Sequence, residues 1–343
     1  MDKLASRKGW SRDMKVVNGQ PEQTMTYREA IREALVDALR EDSRVLTLGE
    51  DIGRAGGSFK ATVGLYEEFG GNRVIDTPIS ETGFTGAALG MAITGLRPVV
   101  EIMFADFLLV TMDQVVNSIA KYRYTTGGQT AVPLVIRAVG GGGLHFGSQH
   151  SATGESWLIP FAGLKVVCPS NPADAYQFLR WAIRDNNPVV VIEHKALYDL
   201  KGPISRVASF ASPRPAVVRQ GKDVTVVASL AMVSLALQAA NLLDKQAIDA
   251  EVIDIRILRP INVEPIVASV RKTNQLVLVA EEPTVGGWMG TVATEVVSRA
   301  FDYIDRPPVV VGLPDTPIPF SPEELAIPSA EVIASRIKQA LES

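Results

Sequence analysis

The residues best suited to chemistry lie in the segment RVIDTPISETGFTGAALGMAITG, which starts at Arg73. Pro78 fixes its own φ angle and favours an extended Thr77, so we expect the chain to turn before a helix at 87–93. Glu81 would then lie where a loop enters a helix, followed by small residues that let a backbone or a flat ligand approach closely. A structural role is the alternative, because a glutamate at a helix start complements the helix dipole and a glycine-alanine face packs tightly.

Further candidate residues lie directly after apolar runs, and these runs predict strands. Glu50 comes directly after Val45 to Leu48, at the position where a parallel strand delivers side chains to a ligand crevice. A glycine run, 140–143, follows another strand, but its offsets do not match a nucleotide-binding loop, so a mobile or tightly approached active-site loop is the simpler interpretation. The sequence has three histidines, and a lone histidine is more often structural than catalytic.

Composition narrows the classes of function. The chain has 343 residues, 46% of them hydrophobic and 21% charged, with a formal charge of −4, so there is no electrostatic case for nucleic acid. Its one cysteine, Cys168, excludes an internal disulfide and is expected to be a buried small hydrophobe. No run approaches the roughly 20 apolar residues of a membrane helix. The first 24 residues match neither a secretory signal nor a clear transit peptide, which predicts a loose extension on a cytoplasmic protein.

The elements that must position these residues alternate between strand and helix. Thr26 to Glu29 forms a capping-box pattern at the start of an amphipathic helix. Strands rich in valine and isoleucine indicate a parallel sheet that is buried on both faces, so the expected class is α/β. The predicted elements after the first helix are strands at 45–48, 98–102, 134–139 and 189–193, and helices at 112–122 and 173–183.

A second α/β unit follows a stretch in which the periodicity fades and prolines accumulate. The domain prediction is an N-terminal extension (1–24), a first domain (25–195), a linker (196–220) and a second domain (221–343). The second domain is expected to have strands at 224–228, 251–255, 276–280 and 309–311, and helices at 233–243, 264–272, 289–300 and 330–341. It contains no histidine and no nucleophile cluster, which predicts a dimerisation and docking role.

Several separated motifs together resemble one family, the β subunit of the thiamin-dependent first component of 2-oxo acid dehydrogenase complexes. The motifs are LGED (48–51), DTPISE (76–81), EIMFADF (101–107), DQVVNSIAKYRY (113–124), QHS (149–151), GLKVVCPS (163–170), AIRDNNPVVVIEHKALY (182–198) and DTPIPFSP (315–322). The resemblance implies a transketolase-like pyrimidine-binding domain followed by a transketolase C-terminal-like domain.

The resemblance also implies partners. Such enzymes bind thiamin diphosphate and magnesium through a Gly-Asp-Gly motif that this chain lacks and that the family carries on its α subunit. We therefore expect half an active site, an α2β2 heterotetramer, and transfer of the acyl group to a lipoyl-bearing acyltransferase core. Pyruvate is the first expected substrate, acetoin the second and branched-chain 2-oxo acids the third.

The resemblance implies roles for four residues. Glu81 matches the glutamate that activates the cofactor, since a carboxyl group hydrogen-bonded to the aminopyrimidine ring favours its imino tautomer. Phe107 matches the aromatic residue on which that ring stacks. Glu50 matches an acid near the cofactor, although a solvated carboxylate at a strand end is equally consistent. His150 matches an active-site histidine that would stabilise charge or transfer a proton during lipoyl acylation.

Two histidines and a metal site complete the set of candidates. His145 is expected to have a structural role in its loop rather than to line a channel, and His194 to lie outside the chemical site. Ala152 stands where many members of the family have glutamine, which leaves substrate preference and lipoyl contact open. The positions that match a potassium site in related subunits are Leu134, Ala182, Ile183, Asp185 and Asn187. The alternative for Asp185 and Asn187 is a turn before Pro188.

Two other classes of function stay open at this stage. One is a transketolase-like or synthase half-enzyme that transfers ketol units without a lipoyl partner. The other is a scaffold or regulatory paralogue that kept the fold and lost the chemistry.

Overall fold

The computed structural model describes residues 23–206, 211–322 and 326–342, so the predicted extension lies almost entirely outside the described residues. The first half of the chain contains β1 (Gln23–Thr26), α1 (Tyr27–Glu41), β2 (Val45–Gly49), α2 (Leu65–Phe69), β3 (Val74–Asp76), α3 (Glu81–Ile93), β4 (Arg97–Ile102), a π-helix (Gln114–Ile119), α4 (Ala120–Thr125), β5 (Val135–Gly140), β6 (Lys165–Val167), α5 (Pro172–Arg184), β7 (Val189–His194) and β8 (Lys201–Ile204). The second half contains β9 (Ala216–Arg219), β10 (Val224–Ala228), α6 (Leu230–Asp244), β11 (Ala250–Asp254), β12 (Ile257–Arg259), α7 (Glu264–Thr273), β13 (Leu276–Pro283), α8 (Trp288–Ala300), β14 (Val309–Leu313) and α9 (Ala330–Glu342).

Two mostly parallel sheets organise these elements. The seven-stranded sheet has the order β12-β6-β7-β5-β4-β2-β3, and every neighbouring pair is parallel except β12 with β6. The five-stranded sheet has the order β14-β13-β10-β11-β9, with only β9 antiparallel to its neighbour. Every residue of β2, β5 and β7 is buried, as the valine and isoleucine runs predict. The predicted α/β class with two parallel-sheet domains is confirmed.

Local sequence explains where the first helix starts. The Thr26 hydroxyl accepts a hydrogen bond from the Glu29 backbone N–H at 3.1 Å, and the Glu29 carboxylate accepts one from the Thr26 backbone N–H at 2.7 Å. The predicted capping box is therefore present. The predicted burial of Cys168 is likewise confirmed, since its side chain is fully buried and free of a disulfide.

The two sheets share a hydrophobic core. Helices α1 and α5 cover one face of the first sheet, and α6 and α9 cover one face of the second. The opposite faces, with α3 and the π-helix from the first domain and α7 and α8 from the second, contribute to one continuous cluster of buried residues. The second domain therefore packs directly against the first through this cluster.

Three sequence predictions need correction. Helix α3 begins at Glu81 rather than at 87, because the glycines of its first turns hid the helical pattern. The helix predicted at 112–122 is a π-helix followed by α4, a difference that apolar spacing does not resolve.

The predicted linker, 196–220, contains strands β8 and β9. Strand β8 pairs with β1, and β9 pairs with β11, so both strands depend on distant partners rather than on their own sequence pattern.

Across the described residues, no helix has the length and apolar character needed to cross a bilayer.

Candidate active site

The predicted site residues lie at the carboxyl ends of adjacent parallel strands. Strands β5, β4, β2 and β3 are consecutive in the first sheet. His150 lies in the segment after β5, Phe107 in the segment after β4, Glu50 directly after β2, and Glu81 at the start of the helix that follows β3. In parallel α/β sheets, ligands bind in the crevice outside these strand ends. The topology therefore brings all four residues to one edge of the sheet.

Glu50 and Glu81 form a pair of buried carboxyl groups. Glu81 is the first residue of α3 and is 8% exposed, and Glu50 is 7% exposed. Burial raises the pKa of Glu50, and the nearby Glu81 charge raises it further, whereas a hydrogen bond from the Ser80 backbone N–H opposes both effects. A shared proton or an added hydrogen-bond donor would relieve the repulsion between these two groups.

Both carboxyl groups have unused hydrogen-bonding capacity. The buried Oε1 atom of Glu50 has no hydrogen-bond partner among the described residues. None of the hydrogen bonds between described residues involves the Glu81 carboxylate. A glutamate that served only the helix dipole would be expected at the surface, where water solvates its charge. Buried acceptors without partners are instead what a ligand with several N–H donors requires.

Phe107 and His150 belong to an aromatic cluster. The His150 ring centroid lies 5.6 Å from that of Phe107 and 4.6 Å from that of Phe104, with edge-to-face angles of 81° and 84°. The Lys195 ammonium group donates a hydrogen bond of 2.6 Å to the His150 carbonyl oxygen and lies 5.8 Å above the Phe104 ring. These contacts fix the backbone and the ring of His150 at the edge of the crevice.

Contacts between α3 and the β4 segment connect the carboxyl pair to this cluster. The Thr82 hydroxyl donates a hydrogen bond of 2.7 Å to the carbonyl oxygen of Val110, which follows Phe107 closely in sequence. A Cβ atom on Gly86 would lie 3.1 Å from Gln114 Oε1, so α3 packs tightly against the π-helix. The first turn of α3 and the Phe107 segment are thereby held side by side.

Sequence reasoning missed several residues of this site. Phe104 lies in the EIMFADF motif that gave Phe107. Asp106 lies in the same motif; its buried Oδ2 atom has no partner among the described residues, and burial raises its pKa. Lys195 directly follows β7, so its signal was the same strand-end position that identified Glu50.

The other two histidines lie in structural settings. His145 has a φ angle of 58°, and its Nδ1 atom lies 3.0 Å from the Phe320 carbonyl oxygen. His194 is fully buried, and its Nε2 atom lies 3.1 Å from an Oε2 atom of Glu281 in the second domain. The His194 ring packs closely against the loop after β5, because a Cβ atom on Gly141 would lie 2.1 Å from His194 Nε2.

The predicted potassium ligands lie where α5 ends beside the start of β5. The Leu134 carbonyl oxygen accepts from the Val189 N–H at 3.0 Å. Asp185 forms a turn in which its Oδ1 atom accepts from the backbone and side-chain nitrogens of Asn187, both at 2.9 Å, while its Oδ2 atom pairs with Lys165.

Other oxygens of this set are also engaged. Arg123 donates to Asn187 Oδ1 at 2.5 Å, and Arg97 donates to the Ile183 and Asp185 carbonyl oxygens. The turn that was the alternative interpretation is therefore present. A cation here would rely on backbone carbonyl oxygens, since the side-chain oxygens already have partners. Within residues 23–206, 211–322 and 326–342, no three His, Cys, Asp or Glu side chains are grouped to hold a metal ion.

Comparison with known proteins agrees with this geometry. A family model described as "Transketolase, pyrimidine binding domain" matches residues 23–201, and one described as "Transketolase, C-terminal domain" matches residues 214–333. The pyruvate dehydrogenase E1 component subunit beta of Rhizobium meliloti is 40% identical over 320 residues, which cover 92% of this chain and 69% of that protein.

Two further similarities extend over most of the chain. The mitochondrial pyruvate dehydrogenase E1 component subunit beta-2 of Oryza sativa subsp. japonica is 42% identical over 323 residues, covering 92% of this chain and 86% of that protein. A solved structure titled "Split gene transketolase, inactive beta4 tetramer" superposes with a TM-score of 0.71 at 26% identity, covering 93% of this chain and 98% of that one.

Proposed function

Because this chain belongs to the transketolase-related family of pyruvate dehydrogenase E1 component β subunits, we propose that it is the β subunit of a thiamin diphosphate-dependent 2-oxo acid dehydrogenase that acts on pyruvate. The observation that carries the proposal is the placement of Glu50, Glu81, Phe107 and His150 in the segments that follow the carboxyl ends of four consecutive parallel strands. Each has the chemical character that its position in the family requires.

The residues present suit the pyrimidine half of the cofactor. An aminopyrimidine offers N–H groups and a flat ring, and the site offers the unpartnered Oε1 atom of Glu50, the carboxyl group of Glu81 and the half-buried ring of Phe107. When bound, thiamin supplies the nucleophilic carbon and the electron sink that decarboxylation of a 2-oxo acid needs. The diphosphate and its magnesium are assigned to the α subunit, since this sequence has no Gly-Asp-Gly motif.

The chain's own residues would hold and move protons. Glu81 would accept a hydrogen bond from an N–H group of the pyrimidine ring and so favour one tautomer of that ring. Burial and the nearby Glu81 raise the pKa of Glu50, which favours its protonated form and suits it to carry a proton. His150, held by the aromatic cluster and by Lys195, is placed to exchange a proton with the acceptor of the acyl group.

The surface around Glu81 supports a protein partner. Ile79 is 85% exposed, and Leu109 and Val110 are each 56% exposed, although all three are large apolar residues. An apolar patch beside a polar crevice is typical of a protein interface. In this proposal an α subunit covers the patch and completes the crevice in an α2β2 heterotetramer. The second domain would provide the docking surface for a lipoyl-bearing acyltransferase core.

The partner and the substrate can be tested together. The chain would be purified with its α partner and supplied with thiamin diphosphate, magnesium, a lipoyl acceptor and either pyruvate, acetoin or 3-methyl-2-oxobutanoate. The proposal expects turnover with pyruvate, and expects E81Q to lower kcat by about 100-fold or more with the assembly intact. Unchanged turnover by E81Q would remove Glu81 from the mechanism.

The same experiment separates the alternatives. Preference for acetoin or for the branched acid would change the substrate but keep the family. The likeness to a split transketolase favours ketol transfer as the second candidate, and ketol transfer without an acylated lipoyl product would establish it. A folded assembly that turns over none of these substrates would indicate a non-catalytic paralogue.

Potassium binding and cellular location also stay predictions. A potassium ion at Leu134, Ala182, Ile183, Asp185 and Asn187 should raise the melting temperature of the protein in potassium chloride relative to sodium chloride. D185A removes the turn that orients the backbone carbonyl oxygens and should abolish that difference. Equal melting temperatures in both salts would argue for the turn alone. A cytoplasmic location is expected from the sequence, whereas the rice relative bears a mitochondrial name, so fractionation of cells is the direct test.

A further inference from the structure

The loop that carries His150 is closed at its base. It leaves β5 at Gly140 and returns at Thr153. The Gly141 backbone N–H donates a hydrogen bond of 3.0 Å to the Ala152 carbonyl oxygen, so the two limbs meet. A Cβ atom on Gly140 would lie 2.7 Å from the Thr153 carbonyl oxygen, which leaves no room for a larger residue. His150 therefore depends on whatever holds these two limbs.

One residue of the second domain binds both limbs. Glu281 lies in β13 and is only 4% exposed. Its Oε1 atom accepts a hydrogen bond of 2.5 Å from the Gly142 backbone N–H on the outgoing limb. Its backbone carbonyl oxygen accepts one of 3.3 Å from the Thr153 hydroxyl on the returning limb. Because β13 is paired on both sides within the second sheet, this contact ties the loop to a rigid element.

The second oxygen of the same carboxylate positions His194. The Ala196 N–H lies 3.3 Å from His194 Nδ1, so Nδ1 accepts and the ring proton resides on Nε2, which donates to Glu281 Oε2 at 3.1 Å. The His194 ring lies directly against Gly141. The next residue, Lys195, donates to the His150 carbonyl oxygen. Glu281 thus reaches the His150 loop by two routes, one direct and one through β7.

We propose that Glu281 is a positioning residue for His150, by which the second domain sets the geometry of the active-site loop. The inference rests on the catalytic role proposed for His150. The two carboxylate oxygens receive two N–H donors, one from Gly142 on the loop and one from His194, whose ring lies against the loop. Together these bonds restrain a backbone that would otherwise sample several conformations. A glutamine at this position has a single carbonyl oxygen, so its amide nitrogen would face one of the two donors.

The test uses E281A and E281Q in the assembly with the α subunit, with E251Q as a matched control. Glu251 is also buried in the second sheet, at 2% exposure, and its Oε2 atom accepts from the Gly221 N–H at 3.3 Å, but it touches no part of the loop. Hydrogen exchange of the peptide spanning 140–153 is measured by mass spectrometry, together with kcat and KM for pyruvate.

We expect E281A to speed exchange in this peptide by about tenfold or more and to lower kcat by about 10- to 100-fold with little change in KM. E281Q should give smaller changes in the same direction. E251Q should leave both the loop exchange and kcat at wild-type values. If E281A does not assemble, E281Q decides the question.

Two outcomes overturn the inference. Unchanged exchange at 140–153 in an assembled Glu281 variant would show that the carboxylate does not hold the loop. Faster exchange with wild-type kcat, in an enzyme that H150Q inactivates, would show that the hold does not position His150. Full activity of H150Q would instead refute the proposed role of His150, while the exchange measurement would still report whether Glu281 restrains the loop.

Discussion

Replacing Glu155 with glutamine should leave the folded protein about as stable as the wild type at neutral pH, although the glutamate is buried. Glu155 lies in the first domain, and its Oε1 atom accepts hydrogen bonds of 2.9 Å from both Trp288 Nε1 and the Ser229 hydroxyl of the second domain. Its Oε2 atom has no partner among the described residues. Burial raises the pKa of Glu155 well above its ordinary value, and the charge of Glu282 raises it further. The raised pKa favours the protonated acid, which resembles an amide in shape and charge.

The magnitude follows from these contacts. Glutamine keeps a carbonyl oxygen that can accept from Trp288 and Ser229, so we expect E155Q to change the free energy of unfolding by no more than about 1 kcal/mol. Alanine leaves both donors buried without an acceptor, at a cost of about 1–3 kcal/mol each, so E155A should lose about 2–6 kcal/mol. That loss is a large fraction of the total stability of a domain.

The pH dependence has a definite sign. Because the folded pKa of Glu155 is raised, the folded state holds an extra proton above the unfolded pKa, and the associated stability is lost as the pH rises through the folded pKa. E155Q lacks this loss, so its free energy of unfolding should rise relative to that of the wild type as the pH increases.

The pKa of Glu251 is shifted in the opposite direction. Burial alone would raise it, but the hydrogen bond from Lys272 and weaker ones from Ser269 and Gly221 outweigh burial and lower it. The stability that Glu251 contributes is therefore lost as the pH falls, so the free energy of unfolding of E251Q should approach that of the wild type in acid.

Urea unfolding followed by circular dichroism between about pH 5.5 and 8.5 measures E155Q, and the same assay between about pH 3 and 5.5 measures E251Q. If the free energy of unfolding of the wild type instead rose relative to that of E155Q as the pH increased, the reasoning would be refuted, because Glu155 would then be ionised and stabilised as a charge.

Three further outcomes test other parts of the structure. R137M should lose about 3–5 kcal/mol or fail to fold, since it leaves Glu101 and Glu193, both paired with the buried Arg137, as uncompensated charges; solubility and urea unfolding measure this, and near wild-type stability would contradict it. Burial raises the pKa of Asp254 to about 7, so its stabilising contribution falls as the pH rises towards and through that value; D254N should flatten this part of the stability curve, and an unchanged curve would count against it. G141A should lower kcat sharply, because its Cβ would overlap the His194 ring at a φ angle of 89°, and a fully active variant would show that the loop can move aside.

Much of this structure could be predicted because the sequence patterns that specify its strands and helices are local. The runs at Val45 and Val189 predict buried parallel strands, and Glu50 could be placed at a strand end for that reason alone. Glu81, Phe107 and His150 became candidates through motifs whose spacing matches a family. The topology then explains why these distant segments meet.

What the sequence did not predict depends on distant partners. Strand β12 belongs to the second half of the chain but pairs antiparallel with β6 in the first sheet, and no periodicity specifies that choice. The contact of Glu281 with Gly142 likewise joins two domains across 139 positions of sequence. Glu281 does end an apolar run, as Glu50 does, so its strand-end position was visible although its partner was not.

Binding of thiamin diphosphate tests the central claim most directly, namely that this chain supplies only the pyrimidine half of the site. Isothermal titration with thiamin diphosphate and magnesium would be carried out on the chain alone, on the chain with its α partner, and on the E81Q assembly. We expect binding by the assembly, weaker binding by E81Q because the ring loses a charged acceptor, and no saturable binding by the chain alone. Tight binding and turnover by the chain alone would contradict the account.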